Sequence, residues 1–141
     1  MYDLDGQIVQ FASGGSGYMP PKVKQYYDEM EVFADYIYKL PDISGVEHYK
    51  DHFPKIFRSE KSKVHYLSAT SKFPKKGLYS YTTEDVNGHE RSYKILSNPS
   101  KPITMSQIPE KIRNLPCMFK LDLKLSEYPK LITPNDIKKN L

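Results

Sequence analysis

The sequence predicts an α+β fold: a mostly antiparallel sheet packed against a long N-terminal amphipathic helix, in the order β-α-α-β-β-β-α-β-α. Three observations carry this expectation. Apolar residues recur at three- and four-residue steps over 23–40, Asn87-Gly88 separates two tyrosine-containing stretches, and apolar and polar residues alternate over 117–125. Helices that lead and strands that cluster later favour antiparallel pairing. At 141 residues a single domain over 1–141 is expected, mainly helical over 1–57 and mainly β over 58–141.

Taken in order, residues 7–11 read as a short strand, followed by a Gly/Ser-rich connector at 12–17. Pro20 and Pro21 then open a helix, because the first helical turn has no use for their missing N–H groups. Val23, Tyr26, Tyr27, Met30, Phe33, Ile37 and Leu40 form its apolar stripe, and Pro41 ends it. Ser44 and Glu47 have capping-box spacing, which predicts a second helix with Tyr49 and Phe53 on its inner face and Pro54 at its end.

Residues 64–70 read as a strand. Residues 78–85 and 89–96 flank the Asn87-Gly88 turn and read as a hairpin. A three-residue loop, Val86-Asn87-Gly88, sets Tyr81 against Tyr93 and Tyr79 against Ile95, whereas a two-residue loop opposes Asp85 and Glu90. Apolar cross-strand pairs favour the former. A short helix through Ile108, Ile112 and Leu115 follows, then a strand over 117–125 with Phe119, Leu121, Leu123 and Leu125 on its buried face. Thr133-Pro134-Asn135-Asp136 starts a last helix.

Composition bounds the class. Eighteen aromatic residues supply large apolar faces, and one cysteine, Cys117, excludes an internal disulfide and a cysteine-rich zinc site. No apolar run reaches the length of a membrane span, and the N-terminus is acidic where a signal peptide is basic. A soluble protein of a reducing, cytoplasmic compartment is expected, with no membrane partner. Charge is divided: residues 1–57 hold five lysines against nine carboxylates, a net −4, and residues 58–141 hold sixteen cations against eight, a net +8. Such a division suits acidic and basic contact surfaces.

No motif reaches an enzyme's signature. Gly14-Gly15-Ser16-Gly17 lacks the Lys-Ser/Thr ending of a phosphate loop, and its Gly-x-x-Gly lacks the flanks of a KH module. His48 and His52 stand one helical turn apart, a metal-competent pair without a third ligand on the same element. Cys117 has no neighbouring base, and Asp85, Glu90 and Lys94 are too compressed for a nuclease's carboxylate-lysine set. No cofactor is implied. Two surfaces are. Lys72, Lys75, Lys76, Arg91 and Lys94 form a basic set whose tyrosines, Tyr79, Tyr81 and Tyr93, either stack on bases or pack inward; Ile95 and the scarcity of arginine favour packing. Asp28, Glu31 and Asp35 form an acidic face on the first helix, matched by Lys120, Lys124, Lys130, Lys138 and Lys139 later in the chain. The expectation is a small non-catalytic protein that regulates, inhibits or assembles through protein partners or self-association. Nucleic-acid binding by the basic half is the alternative, and a metal-dependent hydrolase the third.

Overall fold

The computed structural model describes residues 1–12, 20–49, 58–86 and 90–138, with 84–86, 90 and 91 by backbone alone. Its centre is the hairpin of β3 (Tyr79–Val86) and β4 (Glu90–Pro99). β1 (Val9–Ala12) runs parallel to β3, and β2 (Val46–His48) and β6 (Leu131–Ile132) pair antiparallel with the other edge of β4. The helices are α1 (Pro21–Lys24), α2 (Tyr27–Tyr38), α3 (Glu60–Ser71) and α4 (Glu110–Arg113). A two-stranded ladder of β5 (Lys120–Leu121) and β7 (Ile137–Lys138) completes a mixed α+β architecture.

The hairpin register differs from expectation by two positions. Val86 pairs with Glu90, so the three-residue connection is 87–89 instead of 86–88, and Tyr81 opposes Ile95 while Thr83 opposes Tyr93. A slip of one would turn every side chain to the other face; a slip of two keeps each on its own. The observed register also sets Asp85 opposite Arg91 and Glu84 opposite Ser92, whereas the 86–88 loop would have set Glu84 against Glu90. A bulge between Ser80 and Tyr81 then brings Ser80 to Ser97.

Five other expectations are corrected. The leading helix is broken: α1 ends at Gln25, Tyr26 leaves helical geometry at φ −107° and ψ 30°, and α2 begins anew. The break turns Tyr26 onto Phe119, with ring centroids 5.8 Å apart, and leaves Tyr27 54% exposed. Residues 46–48 are a strand, because the free edge of β4 offers them a ladder; Ser44 Oγ, the expected cap, accepts instead from the Lys101 N–H at 2.8 Å. Residues 64–70 lie inside α3, whose start is set by Ser59 Oγ accepting from the Ser62 N–H. Val64, the apolar residue that suggested a strand, is 62% exposed. At the end of the chain, Thr133 and Asp136 do form a capping box, but over one 3-10 turn that feeds β7. The strand expected over 117–125 is reduced to β5 and a 3-10 turn at Leu125–Glu127, although Phe119, Leu121 and Leu125 are buried as the alternation implies.

Two apolar clusters flank the sheet's centre. Val9, Tyr79, Tyr81, Tyr93 and Ile95 pack with Val23, Phe119, Leu121, Leu125, Ile132 and Ile137; Ile8 and Leu78, the residues just before β1 and β3, pack with Ile37, Ile103, Ile108 and Ile112. Asp3 fastens the two ends. Fully buried, it accepts the N–H groups of Asp5 and Gln7 on Oδ1 and of Leu125 on Oδ2 at 2.7–3.0 Å. Such a carboxylate is kept in the core by the backbone donors it satisfies.

Candidate functional site: two charged surfaces and an apolar cleft

The first charged surface is built on the turn that follows α3. Pro74–Lys76 form a 3-10 turn closed by Gly77 in the left-handed region at φ +93°. A Cβ at Gly77 would stand 2.8 Å from Ile103 Cγ2 and 3.0 Å from two backbone atoms, so only glycine lets the 101–103 backbone approach this closely. The turn is also where the α2–β2 connector docks: the Lys75 carbonyl accepts from the Ile43 and Ser44 N–H groups at 2.7 and 3.0 Å. Ser44 in turn receives Lys101 and lies 3.4 Å from Ser100 Oγ. Three separated segments therefore converge, and they carry exposed Lys72, Lys75 and Lys101.

The sequence-predicted basic set is thereby divided. Lys72 Nζ sits 4.4 Å from the Tyr38 ring centroid, and Lys75 is exposed. Lys76 is only 11% exposed; its ammonium donates to the Leu40 carbonyl and pairs with Asp42 at 3.5 Å, so it belongs to the fold and not to a free loop. Lys94 is on β4 beside Thr82 and Leu131, and the Arg91 side chain lies outside what is described. Tyr79, Tyr81 and Tyr93 are core residues, 0–3% exposed, with the Tyr81 hydroxyl donating to the Pro129 carbonyl at 2.7 Å. Burial pushes the Tyr79 phenol up to about 12, with the neighbouring Tyr128 and Asp3 adding to it, and burial then Tyr79 push Tyr81 higher still. These rings offer no face to a base. The aromatic that does accompany the lysines is Tyr38, 49% exposed and tilted against Phe73 at 5.6 Å. Sequence reasoning assigned Tyr38 no role; only the docking of α2's last turn on the Phe73 turn brings it there.

The second surface is the outer face of α2. Asp28, Glu31 and Asp35 are all exposed on it as predicted, and Tyr27, Val32 and Tyr38 stand among them at 49–54% exposure. Of the basic residues proposed to match them, Lys124 pairs with Asp5 at 3.6 Å, Lys130 and Lys138 are exposed, Lys120 is half-buried on β5, and Lys139 lies outside the described residues.

Between the helices and β1 lies an apolar cleft of about 320 Å³, lined by Phe11, Val23, Met30, Phe33, Phe73 and Met118 among others. The Cys117 thiol at its wall is pushed up by burial, which keeps it protonated and poorly nucleophilic. The Met1 amine, 3.3 Å from the Val9 carbonyl, is pushed down to about 6 by the same burial.

The chain matches no family model, no curated protein and no solved structure.

Among the described residues the remaining predicted groups do not assemble into a reactive centre. His48 Nε2 is 3.1 Å from Ser71 Oγ, and Ser71 also donates to the Leu67 carbonyl, so His48 closes β2 onto α3. His52, His89 and residues 14–17 lie outside the described residues. Among the described residues no three His, Cys, Asp or Glu side chains are grouped to hold a metal ion, and no helix is long and apolar enough to cross a membrane.

Proposed function

We propose that this protein is a non-catalytic binding module that recognises a protein partner along the outer face of α2. The observation that carries the reading is the composition of that face. Tyr27, Val32 and Tyr38, three large apolar side chains, are about half exposed on a helix whose inner face already supplies Ile37, Phe33 and Met30 to the interior. Single exposed apolar residues need no explanation, but three on one twelve-residue helix are a contact surface in waiting. Asp28, Glu31 and Asp35 among them select a basic counterpart and speed its approach, while the apolar side chains supply the affinity. A second copy of the chain, through Lys130 and Lys138, is one such counterpart.

The test is site-specific photo-crosslinking in the native cell, with the photoreactive residue at Val32 or, as a control, at the more exposed Val64 on α3. A discrete adduct from position 32 alone, lost on Asp28→Lys/Glu31→Lys/Asp35→Lys, is expected. The same adducts from both positions, or none from position 32, refute the proposal. Sedimentation at low and high salt separates self-assembly from a foreign partner, since contacts steered by exposed charges weaken as salt rises.

A further inference from the structure

We infer that the surface around the Phe73–Gly77 turn binds the phosphate backbone of single-stranded nucleic acid. Lys72, Lys75 and Lys101 reach it from the end of α3, from the turn that follows it and from the connector after β4, and Ser44 joins the turn to that connector by its N–H and its hydroxyl. Among the described residues no carboxylate pairs with any of the three. Asp42, on the connector that docks on this turn, is held by Lys76. Among the described residues the patch therefore presents three lysines without an acidic partner, with the exposed Ser100 hydroxyl 3.4 Å from that of Ser44.

The ligand's chemistry follows from which groups are present. Lysine ammonium groups act as point charges suited to phosphate oxygens. Every cation in this patch is a lysine. Tyr38 adds a half-exposed ring, 4.4 Å from the Lys72 ammonium, on which an unpaired base can stack. A duplex hides that base face, so the ligand is single-stranded. Asp35, one helical turn before Tyr38, repels a phosphate chain from α2 and directs it towards Lys75 and Lys101. This surface is thus separate from the acidic face of α2 and meets it only at Tyr38.

The experiment is fluorescence anisotropy with a labelled twelve-residue oligo-dT between 25 and 200 mM salt. Contact with three phosphates gives a log–log salt slope of about −2. Lys72→Glu/Lys75→Glu/Lys101→Glu, which spares the structural Lys76, should keep its thermal transition and bind more than tenfold more weakly. Tyr38→Ala should lose roughly tenfold through the missing stack while retaining its affinity for heparin. No binding at 25 mM salt overturns the inference, as does an unaltered affinity in the lysine variant. Equal binding of polyglutamate and oligo-dT, with Tyr38→Ala silent, overturns it in favour of an acidic protein partner.

Discussion

Lys75 and Lys76 are neighbours of identical chemistry, yet their removal should have very different consequences. Lys76 Nζ donates to the Leu40 carbonyl from an 11% exposed side chain and lies 3.5 Å from Asp42, which is 62% exposed. Lys76→Met keeps the apolar stem and deletes the donor. A hydrogen bond made by a charged group contributes about 1.5–3 kcal/mol, and an ion pair to so exposed a carboxylate adds no more than about 0.5 kcal/mol. The expected loss is therefore about 2 kcal/mol, a fall in Tm of roughly 5–8 °C for a chain of this size. Lys75→Met removes a solvated ammonium and should stay within about 0.5 kcal/mol of the parent. Paired urea titrations with a common slope measure both. Equal losses from the two variants, or none from Lys76→Met, would mean that the ammonium does not hold the α2–β2 connector to the turn.

Three further outcomes are expected. Tyr81→Phe removes only the bond to the Pro129 carbonyl and should cost about 1 kcal/mol, whereas Tyr81→Lys buries a charge at a fully enclosed site and should cost more than about 3 kcal/mol by the same titration. Asp3→Ala strands the N–H groups of Gln7 and Leu125, and should destabilise by about 3 kcal/mol; unchanged stability would show that other acceptors replace it. Because the Tyr79 phenol is raised to about 12 and Tyr81 further, while unfolded tyrosines ionise near 10, their stabilisation is complete below pH 10 and lost as pH rises through 12. Absorbance at 295 nm should show these phenols ionising late and together with unfolding; titration of all twelve tyrosines near pH 10 contradicts their burial.

What the sequence made legible was whatever side-chain period controls. Strand faces around the hairpin, the burial of Phe119, Leu121 and Leu125, and the inner face of α2 all follow from apolar spacing. The errors fall where a partner distant in sequence decides. Ser44 and Glu47 have helix-start spacing, but Lys101 takes the serine and β4 takes the backbone. α3 has no apolar face to announce it: Val64 is in solvent, and the helix is held near its end by Ser71 on His48 and by Ser97 donating to the Thr70 carbonyl. The parallel pairing of β1 with β3 leaves no mark on either strand. Charge was legible as a list of lysines but not as a surface, since the list could not tell that Lys76 is consumed while Tyr38 and Lys101 are recruited.

The clasp made by Asp3 has a consequence for synthesis. Its partner Leu125, and Phe119, whose carbonyl receives the Tyr2 N–H, emerge more than a hundred residues after it. At about 5–20 residues per second, β1 is exposed for roughly 6–20 s before the groups that bury its flank exist. During that interval Ile8, Val9 and Phe11 are an apolar strand with an unpaired edge, first without β3 and then without the closing segment. Native closure can only follow the emergence of residues 125–137, because no earlier stretch supplies the Leu125 N–H or the Ile137 carbonyl that receives Lys22. A stall before residue 119 therefore leaves Ile8, Val9 and Phe11 without the segment that closes over them.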